Sequence, residues 1–416
     1  MSCVPPGTIA NRIRLAVALS ASLAASAWAQ TVTPRPQPEP KPITAKVDRT
    51  PLPLMPVETV WGLALNNDLA VPPAFDGTLG FFPIEGDRLV AYDLMSGAQK
   101  WMVAARPLMA PAAGNDLLFI LEAGTLKALH SNDGTEAWEL PFADTLAVAP
   151  VWDNGWLVVA SSAGEVRAYR ATDGELIWQR DLKSPAHAPP ALAADRVYVP
   201  TTDGRIVALR VDTGEPLWER RLGGAPNDIL ALDQRLYAGS QDNFFYCVMA
   251  EDGRVDWRWR TGGDVIGRPV ADDRLVYFVA LDNVLRAMNL VTGGQQWMRP
   301  LPMRPAWGPV RAGSTIVVAG QTPPMRAYNI KDGMQVGTLT ATGLGTDPLT
   351  AAAPHVMDHP VRHLPMMLML FKEIAKGASA TLVVRSIEPA LVDNVSPLLN
   401  LVQIAPVTPT TPPPRP

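Results

Sequence analysis

Cysteine is almost missing from this 416-residue chain, which has only Cys3 and Cys247. Two thiols exclude a disulfide framework and any multi-cysteine zinc or iron–sulfur centre. A basic surplus is missing too. The 36 Lys and Arg face 40 Asp and Glu, for a formal net charge of −4, so the charge points to no nucleic-acid partner. Past the first thirty residues no apolar run reaches the roughly 18 residues of a membrane-spanning helix. The longest, 364–371 (LPMMLMLF), has the length of a strand. Disorder over most of the chain is excluded by 47% hydrophobic and only 18% charged residues. Glycine and proline, at 31 and 42, are abundant, yet remain below the roughly 25–30% of low-complexity chains.

The two ends differ from the middle. Arg12 and Arg14 precede an apolar stretch, 15–25 (LAVALSASLAA), too short to span a bilayer, and Ala27-Trp28-Ala29 follows it. That order predicts a cleaved export signal over 1–29. A lipid anchor would need a cysteine directly after the apolar stretch, and Cys3 lies upstream of it. Residues 30–56 are crowded with proline, which fixes φ and removes backbone donors, so an extended linker is expected there. The segment 391–416 ends in PVTPTTPPPRP and predicts a disordered tail. Between them, 57–390 is expected to form the folded body.

That body repeats. Segments at 89–101 (LVAYDLMSGAQKW), 126–138, 166–178 (VRAYRATDGELIW), 206–218, 245–257, 285–297 and 325–337 align without gaps. Their glycines are Gly97, Gly134, Gly174, Gly214, Gly253, Gly293 and Gly333, and their tryptophans Trp101, Trp138, Trp178, Trp218, Trp257 and Trp297, with Trp61 in register one period earlier. A fixed period near 40 marks propellers or solenoids. Each copy opens on a largely apolar strand, turns at a glycine suited to a left-handed hairpin position, and returns through the tryptophan. Two more short strands fit between copies, which predicts a four-stranded antiparallel blade. The third residue of six copies is alanine, and in the fifth copy it is Cys247. A small residue recurring with a large aromatic predicts a packing pair, with Cys247 a buried core residue.

The Ala-x-Asp-x-x-x-Gly-x-x-x-Trp pattern resembles the tryptophan-docking motif of PQQ-like β-propellers. That superfamily includes quinoprotein alcohol dehydrogenases and the non-enzymatic BamB-type scaffold of outer-membrane barrel assembly. The motif's aspartate is kept at Asp93 and replaced by Asn289 and Asn329, and elsewhere by His130, Arg170, Arg210 and Met249. The resemblance implies an all-β, eight-bladed propeller. Residues 58–69 would then be the outer strand of a last blade whose inner strands come from 347–388, closing the ring. Seven blades with an irregular C-terminal cap are the alternative. The seventh copy has Gly337 in place of tryptophan, so its blade should be the weakest.

Sites of chemistry are few. A quinoprotein, by the resemblance, needs a quinone over the central channel, a calcium ion and a catalytic aspartate, and often has a vicinal disulfide. One cysteine after signal removal excludes that disulfide, and the even period leaves little room for pocket-building insertions. His355, His359 and His363 recur every four residues. Pro360 interrupts a helix, and strand geometry holds them too far apart for one ion, so a polar loop is expected and no metal site. The Asp-Gly pairs at Asp133, Asp173, Asp252 and Asp332 offer too few oxygens for calcium and read as hairpin turns. Arg220, Arg221, Arg258 and Arg260 suggest solvated strand faces or a docking patch. The partner-binding loop of BamB-type scaffolds has its nearest place at 181–190 (DLKSPAHAPP), which is short and lacks the family pattern. The expectation is a monomeric, exported, non-enzymatic scaffold. It would have no catalytic residue, cofactor, metal or nucleic-acid partner, and would bind protein partners in the envelope, with barrel-assembly machinery the nearest analogy. A quinone- or small-ligand-binding propeller is the alternative.

Overall fold

The computed structural model describes residues 54–65, 67, 69–320 and 324–339, together with the backbone of Leu349–Asp358, Pro365–Glu373, Ala380–Ile387 and Val402–Gln403. All of them fall within one compact unit, Thr50–Pro416. Among the described residues every regular element is a strand. Seven antiparallel sheets of four strands follow one another along the chain, and an eighth sheet has five. We number the blades 1 to 8 in that order; blade 1 spans 74–104 and blade 7 spans 310–339.

Each four-stranded blade is a meander whose first strand is innermost and whose last is outermost. The middle strands are apolar on both faces because a neighbouring blade covers each face. Leu275–Ala280 (LVYFVA) is buried at every position, and Trp156–Ala160 at all but its first. The outer strands meet solvent on one side and alternate accordingly, as in Gln99–Ala104, where Trp101 is buried between exposed neighbours. The first hairpin of blade 3 turns at Asn154-Gly155, both with positive φ, which is the geometry a tight two-residue connection needs.

The register explains the recurring alanine. In blade 1, Phe81 faces Ala91 and Ala91 faces Trp101 across three adjacent strands. The same rows are Phe119–Ala128–Trp138, Tyr198–Ala208–Trp218, Tyr237–Cys247–Trp257 and Tyr277–Ala287–Trp297. With only a methyl or thiol in the middle, the indole reaches over it to the aromatic ring beyond. Ring centroids stand 5.7–6.0 Å apart in these five rows, within the range of favourable aromatic pairs. A larger middle residue would fill that gap. A β-bulge follows the small residue in each of these rows and leads into the glycine turn.

Blade 8 is built from both ends of the body. Val57–Ala64 pairs antiparallel with Ala380–Ile387, placing Trp61 opposite Val384. The sheet order is Leu349–Asp358, Pro365–Glu373, Ala380–Ile387, Val57–Ala64, Val402–Gln403. The expected closing strand is therefore present, but it ends at Ala64 instead of residue 69. It is also not the sheet's edge, because Val402–Gln403, within the segment expected to be a disordered tail, adds a short parallel strand outside it. Val60, Trp61, Leu63 and Leu65 share a core with Phe82, Ile84, Val90, Tyr92 and Leu94, which joins blade 8 to blade 1.

Candidate functional site

Two places collect side chains that the repeat alone does not explain: the seams between blades and the hub.

At every seam with a tryptophan the contact is the same. Each indole N–H donates to a backbone carbonyl in the hairpin of the next blade, over 2.6–3.1 Å: Trp61 to Leu94, Trp101 to Ser131, Trp138 to Ala171, Trp178 to Val211, Trp218 to Ala250, Trp257 to Leu290 and Trp297 to Ile330. The ring itself lies on that hairpin's glycine. A Cβ built at Gly134, Gly174, Gly214, Gly253, Gly293 or Gly333 would stand only 2.4–3.0 Å from the preceding blade's indole. These glycines and Gly97 have φ between 67° and 74°, so they serve the turn as well. The turn role was legible from the sequence, whereas the platform role was not, because the indole that needs it lies about 33–36 residues earlier in the chain.

A second seam contact escaped the sequence reading. Two residues after the tryptophan, Arg180 donates through Nε to Gly214 O at 2.9 Å. Arg220 donates likewise through Nε to Gly253 O, and Arg299 through Nη2 to Asp332 O. A Trp-x-Arg spacing in three copies was the available signal. It takes Arg220 out of the expected arginine patch, while Arg221, Arg258 and Arg260 stay exposed. Arg220 is spent on a seam, Arg221 donates to Asp203 O at 2.8 Å, and Arg258 lies 4.8 Å from the Phe244 ring centroid. At blade 7, where Gly337 replaces tryptophan, the slot is not empty. A Cβ on Gly337 would stand 2.1 Å from the Met55 methyl. Leu54, fully buried, joins that blade's core and donates its N–H to Thr315 Oγ1 at 3.1 Å. The chain that enters blade 8 therefore first fills the gap in blade 7.

The hub holds a cavity of about 340 Å³ on the inner strands of blades 3 to 6. Its wall mixes the apolar Val151, Trp152, Pro190, Leu192 and Ile229 with the charged Asp153, Asp228 and Arg268. Asp228 is half-buried. Burial raises its pKa above the ordinary carboxylate value, against the lowering effect of its own backbone N–H and of Arg268 and His187. His187 is itself held by Gln241, whose Nε2 lies 3.2 Å from its Nε2. Sequence reading gave no hint of Asp228 or Arg268, since the charge at their shared inner-strand position does not recur from blade to blade.

The calcium ion that the quinoprotein resemblance implies does not fit this hub. Calcium takes six to eight oxygens. The cavity offers two carboxylates on separate blades and no side-chain amide. Among the described residues no group of three or more His, Cys, Asp or Glu side chains converges as a ligand set. The Asp-Gly pairs are turn caps: Asp133, Asp173, Asp252 and Asp332 each accept a backbone N–H two residues on through Oδ1. Asp93, Asn289 and Asn329, at the motif's aspartate position, likewise accept a backbone N–H two residues on, in the corresponding turns of blades 1, 6 and 7. His355 lies on the strand Leu349–Asp358 and not in the expected loop; His359 and His363 lie outside the described residues. Cys247 is fully buried, and burial pushes its thiol pKa up to about 12. The 181–190 loop is tied down rather than projecting. Leu182 N donates to Gly164 O and His187 N to Pro200 O, both at 2.8 Å, and Leu182, Ser184, Ala186 and Ala188 are buried.

The sequence profile of the family described as outer membrane protein assembly factor BamB matches residues 58–141, 122–232 and 230–353. The outer membrane protein assembly factor BamB of Yersinia pestis is 26% identical over 113 residues, and that of Shewanella oneidensis 30% over 70. These stretches span 26% and 17% of this chain, and only 29% and 18% of those proteins. The crystal structure of BamB from Moraxella catarrhalis superposes with a TM-score of 0.60 at 20% identity, over 79% of this chain and 97% of that one. A quinohemoprotein alcohol dehydrogenase from Pseudomonas putida superposes equally well, at 0.60 and 14% identity, over 86% of this chain and 79% of its own. At such identities the superpositions establish the propeller fold alone.

Proposed function

This chain belongs to the BamB family of PQQ-like repeat β-propellers, and from that premise we propose that it is an exported, non-enzymatic, monomeric scaffold for outer-membrane protein assembly in the cell envelope. The observation that carries the reading is the family match running through 58–353, over blades whose connections stay short. In this reading 1–29 is removed on export, and the proline-rich residues ahead of Leu54 and after Gln403 act as spacers. The tied-down 181–190 loop cannot form a projecting arm, so docking falls to the exposed faces of the ring. Among the described residues no helix is long and apolar enough to cross a membrane.

The test is affinity isolation of the full-length exported chain from cross-linked envelopes, with identification of what it retains. Specific retention of a barrel-assembly component, together with reduced outer-membrane barrel proteins in cells lacking the chain, is the expected result. Retention of no such component, with unchanged barrel proteins, overturns it.

A further inference from the structure

The hub cavity is shaped for a ligand. Its volume of about 340 Å³ falls within the size of small-molecule sites, which combine apolar walls with a few convergent polar groups. Here Trp152, Pro190, Leu192 and Ile229 supply the walls. Pro189 and Pro190, consecutive in the chain, hold one side with little freedom to collapse inward.

The charges are arranged for a particular chemistry. Asp228 is on the inner strand Pro226–Leu232 of blade 5, and Arg268 on Val265–Ala271 of blade 6. Both line the cavity, and the charge of Arg268 acts on Asp228. Yet none of the ion pairs within 4.0 Å among the described residues includes either one, whereas Arg205, Arg235 and Arg286 each close such a pair. A half-buried carboxylate without a cation is unfavourable. The bulge between Ile266 and Val270 and the packing of Gly267 against Gly308 fix the backbone around Arg268. The two charges are therefore held on separate strands, close enough to interact and too far apart to pair. His187, from the loop before blade 4, is the other titratable group acting on Asp228; Asp153 adds a second carboxylate on the opposite side.

We propose that the hub cavity binds a small zwitterion of the α-amino-acid class, its ammonium group on Asp228, its carboxylate on Arg268 and its apolar side chain against Trp152, Leu192 and Ile229. Such a ligand supplies both missing partners at once. A simple carboxylate would leave the half-buried Asp228 without a cation, and a simple amine would leave the exposed Arg268 to water, so only the zwitterion engages both. The inference stands apart from the scaffold reading: a chain with an empty hub can still retain its protein partner, and one without a partner can still bind the ligand.

The test uses the full chain labelled with ¹⁵N, following the Trp152 indole resonance, assigned by its loss in Trp152→Phe. That indole N–H is buried and has no acceptor in the protein, so a ligand on the adjacent wall will move its signal. The probes are L-leucine, 3-methylbutylamine and 4-methylpentanoate, each up to about 10 mM, a range that reaches weak binding. Saturable movement by leucine is expected, with the two half-ligands at least about tenfold weaker. Asp228→Asn and Arg268→Gln should each weaken leucine by a similar factor while leaving the other tryptophan indole signals in place. No movement by leucine overturns the proposal. So does leucine binding unchanged in both variants, or equal binding of the amine alone.

Discussion

The platform role of the seam glycines can be isolated at Trp178 and Gly214. Gly214→Ala introduces two separate penalties. An L-residue at φ +67° is strained by about 1–2 kcal/mol. The new methyl also stands 2.6 Å from Cδ2 and Cε3 of Trp178, an overpacking worth about 1–3 kcal/mol. The expected single-variant loss is therefore about 2–5 kcal/mol. Trp178→Ala removes a buried indole and leaves Val211 O without its donor, for a loss of about 3–5 kcal/mol. In the double variant the methyl enters space the indole vacated, so only the strain remains, and the combined loss falls about 1–3 kcal/mol short of the sum. Gly155→Ala is the control. Gly155 has φ +84° and no atom within 4 Å of a built Cβ, so its cost is strain alone and is unaffected by Trp178→Ala. Urea-unfolding midpoints and slopes, followed by far-ultraviolet circular dichroism, measure all four backgrounds. Full additivity of Gly214→Ala and Trp178→Ala would refute the platform argument.

Leu54→Ala should lower unfolding free energy by about 2–5 kcal/mol despite lying outside every strand, since Leu54 sits in the core of blade 7; a surface-like change of under about 0.5 kcal/mol in urea titration would contradict its placement. Trp61→Ala should melt the chain early by loosening the joint between blades 8 and 1, and an unchanged melting temperature would count against closure through Val57–Ala64. Cys247, with its thiol pKa pushed up to about 12 by burial, should resist a thiol reagent at neutral pH in the folded chain and react fully in urea; equal rates in both states would disprove the core assignment. Asp228 has a raised pKa in the folded state. Between the ordinary carboxylate value and that raised value the folded chain holds a proton that the unfolded chain has released, so stability falls as pH rises through the window. Asp228→Asn should therefore raise the melting temperature at about pH 7, with the gain shrinking towards about pH 4; a gain that grows in acid would reverse the argument.

The ring was legible because its parts recur with one period. Trp101, Ala91 and Gly97 state the register of blade 1, and the later copies repeat it apart from Cys247 for the alanine and Gly337 for the tryptophan, so strand order, hairpin positions and the location of the closing strand could all be read in one dimension. The seams were half legible. Tryptophan and glycine were visible as conserved spacing within the chain, but their contact joins one copy to the next, and a linear alignment stacks copies without showing which faces touch. Arg220 was read as a solvated strand face or docking residue, and Arg180 and Arg299 were not singled out, because an arginine's destination depends on the neighbouring blade. Met55 over Gly337 was invisible: a unique segment replaces a repeated one. The hub was invisible for a related reason: Asp228 and Arg268 occupy the same position of successive copies, but with opposite charge, so no residue type recurs there to be read as a motif.

That division has a physical cause with a measurable consequence. The tryptophan seams hold the blades together at their outer strands, with seven indole N–H donations between neighbours, and this fixes the spacing of the inner strands without help from the hub. Inner-strand side chains are thereby released from packing duty. Blade 3 can present Trp152, blade 5 Asp228 and blade 6 Arg268 towards one cavity at little expense to the fold. Stability and ligand recognition should then separate by radius. Trp218→Phe, at a seam, should lower the urea midpoint and leave leucine affinity at the hub intact as long as the chain is folded. Arg268→Gln, at the hub, should abolish most leucine affinity and leave the urea midpoint within about 0.5 kcal/mol of the parent. If Arg268→Gln instead unfolded the chain, the hub would be part of what holds the blades in place, and its charges would owe their positions to packing and not to a ligand.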